Sequence, residues 1–441
     1  MSLGTLHDCN VGAEYTDLMR FVILCCALTV AGQSLTTEQQ KIVAAVNTDA
    51  DDSLKLLEQI VNINSGTLNP AGVRKVADVL RPQFEELGFS CRFIPMEEVH
   101  RAGHLVCSRS GSHGKRVLLI GHMDTVFEPS SPFQKFERKG DIAVAPGSED
   151  MKGGLAIILS SLKALHSVGA LDGTNITVFL TGDEEKAGDP LSISRRDLIE
   201  AGKHSDAALE FEAGVRQAGH EMASIARRSS YSWVLKTTGK TGHSAGVFGE
   251  GGFGAIYEMA RILDAFRLEL REPDLTYNVG LITGGATASY DAATAGASAS
   301  GKSNIIPAAA EAVGDIRTVT DEQYGRVRKK MLEIVAKHLQ GTSAEIQFKE
   351  GYPSMPATDA NKALLGELNK VNRELGVDVM EPYDPSRRGA GDLSFVAPYV
   401  ASISGLGAYG SGGHAPGETI ELGSQTPQAR RVALFIYELT R

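Results

Sequence analysis

The stretch KRVLLIGHMDTV, residues 115–126, runs from two cationic residues through an unbroken apolar segment, Val117 to Ile120, and ends on His122 and Asp124. A strand with one wet face alternates apolar and polar side chains. An unbroken run is what a strand buried on both faces needs, and such strands belong to parallel sheets covered by helices. Three other stretches carry the same signature: TNITVFLTGDEE at 174–185, DAALEFEAG at 206–214 and YVASISGLGAYG at 399–410. Helical spacing of apolar residues lies between and before them, at 38–63, at 69–89 up to the stop at Gly88, and at 151–170. The rhythm predicts an α/β fold, a mixed and mostly parallel sheet flanked by helices.

The middle of the chain has a different pattern. Residues 229–246, 275–285, 308–319 and 343–352 look like half-exposed strands, with helical segments at 253–270 and 321–339 among them. This predicts an inserted α+β domain, one antiparallel sheet carrying two helices. The expected organisation is an N-terminal extension at 1–33, a first part of the catalytic domain at 34–223, the inserted domain at 224–351, and the rest of the catalytic domain at 352–441. The Gly/Ala/Ser-rich piece 284–301 is expected to be a loop.

Composition narrows the partners. The chain has 441 residues, 42% hydrophobic and 22% charged, with a net charge of −10. An acidic balance disfavours nucleic acid and anionic membranes and is compatible with metal cations. MRFVILCCALTVAGQS, from Met19, puts one Arg before a short apolar run and small residues, which resembles a secretory signal peptide and is too short to span a bilayer. Export to the periplasm or the outside is therefore expected, with no stable membrane anchor. Beyond that segment two cysteines remain, Cys91 and Cys107; a bridge between neighbouring strands and a pair of buried thiols are both open. No C-x-x-C motif suggests a thiolate zinc site.

The chemistry gathers at the carboxyl ends of the strands, which share one edge of an open α/β sheet, where ligands bind. His122 and Asp124 follow the first strand, and Glu184 and Glu185 the second. Glu212 follows the third, and His414 lies in GSGGHAPGE beyond the fourth. Asp150 stands in GSEDMKGGLA at the head of a helix. Imidazole and carboxylate without thiolate suit Zn²⁺, Co²⁺ or Mn²⁺. Asp124 is two residues from His122, where it can orient the ring. Singly, each has a plainer explanation: a structural histidine, a helix cap at Asp150, a solvated acidic turn. Adjacent carboxylates at the end of a buried strand are costly to dehydrate unless a cation neutralises them.

GHMDTV, GSEDMKGG, TGDEEKAG, FEAG and GGHAPGE, in this order and spacing, resemble the metal-dependent aminoacylase/glutamate-carboxypeptidase family over essentially residues 40–441. TGKTGHSAG and SGKSNIIPAAAEAVGDIR resemble that family's inserted dimerisation domain. The resemblance implies two divalent metals, zinc favoured, held by His122, Asp150, Glu185, Glu212 and His414, with Asp150 between them. It implies Glu184 as the catalytic base, Asp124 as the partner of His122, and His243 as an oxyanion donor from the other subunit of a homodimer. Glu210 competes with Glu212 in LEFEAG, and the motif register favours Glu212. By the same resemblance Asn304 touches the substrate's carboxylate end. Arg317 either assists there or forms an ion pair on its strand.

Two departures stand out. Glutamate-releasing members carry an Arg immediately before the proline that leads back into the catalytic domain, and here that position is Tyr352. Arg387 and Arg388 are candidate replacements, since guanidinium pairs well with carboxylate, or they are surface charge. Glu149, before the bridging Asp, replaces the usual small residue. The expected activity is hydrolysis of an amide bond beside a free carboxylate, by C-terminal release, dipeptide cleavage or N-acyl removal. The alternatives are a non-catalytic metal- or peptide-binding homologue and, remotely, nucleotide binding at GASASGKS, 296–303, which matches the P-loop expression but lacks the strand and helix such a loop needs.

Overall fold

The computed structural model describes residues 34–441; the leader expected within residues 1–33 lies outside the described residues. The central sheet has six strands in the order Ser90–Met96, Arg101–Arg109, Thr174–Thr181, His113–His122, Ala207–Glu210 and Ala401–Ile403. The last four run parallel to one another, and the first two join antiparallel. The unbroken run 117–120 behaves as its composition demands. Val117 and Leu119 enter one core with the helices Thr37–Val61, Gly153–Ser167 and Gln425–Thr440. Leu118 and Ile120 enter a second, with Leu198, Leu393 and Val396 from the short helices Arg196–Lys203 and Leu393–Val396. Leu118, Leu119 and Ile120 are fully buried, and each is worth roughly 1.5–3 kcal/mol relative to exposure.

Local signals fix the element ends. Thr36 and Gln39 form a capping box at the start of Thr37–Val61, satisfying two backbone donors that the first turn leaves free. Asn69 caps Pro70–Glu86, and Gly88, at φ +80°, ends that segment as glycine does at little steric cost. At the head of Gly153–Ser167 the plainer reading of Asp150, as a helix cap, does not hold. Asp150 lies before the helix, at φ −116° and ψ 90°, and caps nothing, so its carboxylate is free for other work.

Between the strands Ala207–Glu210 and Ala401–Ile403 the chain builds a second, fully antiparallel sheet, ordered Thr276–Gly285, Ala309–Arg317, Ser230–Gly239, Thr342–Tyr352. The helices Ala255–Glu269 and Asp321–Val335 cover one face, around a core of Trp233, Leu235, Met259, Ile262, Phe266, Ile316 and Met331. Gly314 faces Trp233 across the sheet, where a Cβ would meet the indole at 2.3 Å and a carbonyl oxygen at 1.9 Å. Residues 284–301 are not a plain loop. Thr287–Asp291 and Gly296–Ser300 pair as a hairpin whose turn is tied by the Asp291 carboxylate to the Ala293 N–H and the Thr294 hydroxyl. The P-loop expression thus falls on a hairpin strand, followed by extended chain and then the strand Ala309–Arg317, with no helix to present phosphate-binding N–H groups.

Cys91 and Cys107 stand opposite each other on the antiparallel strands Ser90–Met96 and Arg101–Arg109 and are joined by a disulfide. No helix among the described residues is long and apolar enough to cross a membrane.

Candidate metal centre

Strand register assembles the site. His122 ends its strand opposite Thr181, so the turn carrying Asp183, Glu184 and Glu185 leaves from beside it. Ala207–Glu210 lies on the other side of the same strand and delivers Glu212 two residues beyond its end. A small sheet supplies the last part. Gly410–Ser411 pairs with Thr419–Glu421, and the turn between them holds His414 in the left-handed region, φ +67°. That conformation is uncommon for a residue with a side chain and costs of order 1–3 kcal/mol.

Two triplets of ligand atoms result, His122 with Asp150 and Glu212, and Asp150 with Glu185 and His414, the atoms of each lying within 4.8 Å of one another. Asp150 belongs to both. Its Oδ1 lies 3.0 Å from His122 Nε2, and its Oδ2 lies 2.9 Å from His414 Nε2. His122 Nε2 is 3.3 Å from Glu212, and His414 Nε2 is 3.0 Å from Glu185. The donor set fits a pair of divalent cations: one imidazole and one further carboxylate on each side, one carboxylate with an oxygen for each, and no thiolate.

The electrostatics agree. Burial pushes Glu184 well above the ordinary carboxylate range, and burial pushes Glu185 up to about 7. Burial opposes charge on His122 and Asp150 too, but their mutual contacts prevail; the carboxylates around His122 raise it, and His122 and His414 hold Asp150 low. The hydrogen bonds to Asp150 and Glu185 carry His414 up to about 11. A carboxylate cluster that draws protons onto its imidazoles lacks positive charge, and a bound dication supplies it.

Two further carboxylates hold the backbone of this site. Asp124, fully buried, accepts the N–H groups of Glu184 at 3.1 Å and Glu185 at 3.2 Å and the Thr67 hydroxyl at 2.6 Å. Its backbone carbonyl lies 3.1 Å from His122 Nδ1 and its carboxylate 3.5 Å from it, so it steadies both the ring and the acidic turn. Glu418, also buried, accepts the N–H groups of Gly147, Glu149 and Asp150. Glu418 carried a signal, four residues after His414 in GGHAPGE, that sequence reasoning left without a role.

Glu210 and Glu212 are sorted by contact. Glu210 pairs with buried Arg227 and accepts the Leu393 N–H at 2.8 Å, whereas Glu212 faces His122. Asp183 turns away from the centre into an ion pair with Arg195 at 2.7 Å. Arg195 is fully buried, pairs also with Asp392 at 2.8 Å, and donates to the Tyr352 hydroxyl at 2.6 Å. Tyr352 in turn donates to the Glu184 carbonyl at 2.8 Å. Burial raises the phenol well above its ordinary value, so it remains a donor. Neither Arg195 nor Asp392 had any motif to mark it.

The other site residues are spread wider. Arg388 lies at the rim, 3.8 Å from Glu212, with its Nε buried and unpartnered, while Arg387 is exposed in a short turn. Glu149, beside Asp150, is pushed up to about 7 by burial and then by the Asp150 charge. His243 is exposed, its Nδ1 accepting the Ala245 N–H, and it is not gathered with the metal ligands. Asn304 sits beside it, its carbonyl accepting the Ser244 N–H, and is exposed as well. Arg317 pairs with Asp315 on its own strand at 3.0 Å.

Fold and donor set together define a metal-dependent hydrolase built on an α/β sheet with an inserted α+β domain. Residues 118–438 match the model of peptidase family M20/M25/M40, and the chain belongs to that family, as a metallopeptidase or amidohydrolase. It is 30% identical over 355 residues to carboxypeptidase G2 of Pseudomonas sp. strain RS-16, covering 79% of this chain and 80% of that one. Among solved structures it resembles aminopeptidase PepT from Bacillus cereus ATCC 10987, with a TM-score of 0.72 at 18% identity, over 89% of this chain and 99% of that one. It also resembles a dinuclear metal-binding M20 peptidase from Bacillus subtilis, with a TM-score of 0.61 at 15% identity, over 89% and 99% of the two chains.

Proposed function

We propose that this protein is an exported two-zinc hydrolase that cleaves an amide bond next to a free carboxylate, with Glu184 as general base. The observation that carries the reading is the Asp150 carboxylate, one oxygen turned to His122 and the other to His414 at 3.0 and 2.9 Å. His122, Asp150 and Glu212 would hold one ion, and Asp150, Glu185 and His414 the other. When bound, such a pair polarises the scissile carbonyl and acidifies the attacking water. Glu184 takes the proton from that water as its oxygen bonds to the carbonyl carbon. It passes the proton to the nitrogen as the C–N bond breaks. Asp124 keeps Glu184 and Glu185 at fixed distance from His122, so that base and ligands share one frame.

On the substrate side, the unpartnered guanidinium Nε of Arg388 favours it over Arg387 as the group that receives the free carboxylate. Tyr352, bonded to Arg195 and Glu184, is not available for that task. His243 and Asn304 form one exposed patch on the inserted domain, which suits a contribution from the second subunit of a homodimer. Export is supported by the leader-like run from Met19 and by the Cys91–Cys107 disulfide, since such bonds persist in oxidising compartments.

Glu184→Gln tests the base. In metal-loaded protein screened on N-acyl amino acids, dipeptides and folate-type conjugates, kcat falls by about 10²–10⁴ while metal content persists. Undiminished hydrolysis in that variant removes the assignment.

A further inference from the structure

The proposed base is held from two sides by residues of different folding units. Its N–H is bonded to Asp124, at the end of a central-sheet strand. Its carbonyl is bonded to the hydroxyl of Tyr352, the last residue of Thr342–Tyr352, on which the chain leaves the second sheet. A tyrosine hydroxyl has one proton to give and can accept in return. Here it gives the proton to the Glu184 carbonyl and accepts from Arg195 Nη2. Arg195 is itself locked by Asp183 and Asp392, and Asp392 by the Thr181 hydroxyl at 2.6 Å. The phenol ring also packs edge-on against Phe395, with centroids 4.9 Å apart. The hydroxyl therefore has one defined position, set jointly by the second sheet and by a buried ion-pair network under the catalytic turn.

We infer that Tyr352 is a positioning residue for hydrolysis: its hydroxyl fixes the peptide that carries Glu184 and makes the placement of the base depend on how the second sheet is seated. The inference rests on Glu184 being the base. Beside this junction lies a cavity of about 570 Å³, lined by residues of the catalytic turn, Ala187 to Leu191, and by Lys349 to Tyr352. The two units thus have open space along their boundary, and the Tyr352–Glu184 bond crosses it. Without the hydroxyl, the Glu184 carbonyl loses its partner, and the peptide it shares with Glu185 is held from one side alone, by Asp124 on the Glu185 N–H. The metal ligands, held by Asp124 and Glu418, keep their places. Loss of position in a base lowers turnover more than it lowers ground-state binding.

The test is Tyr352→Phe beside Glu184→Gln in the full-length, metal-loaded protein, on whichever of an N-acyl amino acid, a dipeptide or a folate-type conjugate the parent cleaves fastest. Expected for Tyr352→Phe is at least a tenfold fall in kcat, with KM within twofold of the parent, the parent's metal stoichiometry and an unchanged near-UV circular dichroism spectrum. A kcat within twofold of the parent overturns the inference. So does a fall in kcat accompanied by lost metal or an altered spectrum, because the hydroxyl is then a folding element. If Glu184→Gln keeps its activity, the base assignment itself fails. If Glu184→Gln is inactive and Tyr352→Phe is not, only the positioning role fails.

Discussion

Asp150 presents one oxygen to His122 and the other to His414, and no other ligand serves both triplets. Replacing it with Asn removes the shared charge while keeping the shape. Asp150→Asn should therefore lose both ions together, falling from two metals per chain to fewer than one by elemental analysis. Glu212→Gln should lose only the ion on the His122 side. The neighbours Glu184 and Glu185 divide differently. Their N–H groups are gripped by the two oxygens of one carboxylate, Asp124, yet Glu185 points to His414 and Glu184 joins neither triplet. A half-buried carboxylate outside the ligand set, with desolvation opposing its charge, is suited to taking up a proton. The third acid of the turn, Asp183, is neutralised by Arg195 and belongs to the scaffold.

At the scale of elements, the strand His113–His122 shows why its run had to be unbroken. Successive residues enter opposite cores, so a polar residue at any of positions 117–120 would be dehydrated. The disulfide belongs to this scale too. It ties strands at the sheet's edge, where fewer neighbours constrain the chain, and spans a sequence separation of 16. Opening it by Cys91→Ser with Cys107→Ser should cost about 2–4 kcal/mol, seen as a lower denaturant midpoint with an equal or steeper slope, since the unfolded chain loses its cross-link. Activity under native conditions should be retained, because neither cysteine touches the metal ligands. The opposing view, that these are two independent thiols, predicts two more reactive thiols on unfolding than the disulfide-bonded protein shows. Hairpin 287–300 was not legible as strand because Gly, Ala and Ser carry little β-propensity. It is defined instead by cross-strand pairs and by the Asp291 turn.

For the whole molecule, His243 and Asn304 stand exposed on the inserted domain, apart from the ligands of their own chain. A homodimer that completes each site with the partner's His243 makes a specific prediction. Glu184→Gln and His243→Ala protomers are each inactive as homodimers, but mixing and re-equilibrating them should restore activity, up to one working site per mixed dimer. Failure of complementation in verified mixed dimers places His243 outside the reaction. The acidic net charge and the family's peptide chemistry fit a site that concentrates cations at one sheet edge.

The amino-acid sequence by itself determined the alternation of doubly buried strands with helices, the second antiparallel pattern in the middle, and the set of imidazole and carboxylate groups at the strand ends. These are local properties, since burial periodicity and side-chain chemistry are carried within a dozen residues. Tertiary structure alone decided that Cys91 and Cys107 join, that Asp183 answers to Arg195, and that Tyr352 reaches Glu184; the motif register pointed to Glu212 over Glu210, and the fold supplies the reason. Glu210 and Glu212 lie two residues apart and are chemically alike; what separates them is that Glu210 pairs directly with Arg227, which stands 3.9 Å from Glu212, while Glu212 alone meets His122. Each of these outcomes depends on groups brought together by strand register and by the seating of one sheet against another, which no short stretch of chain encodes.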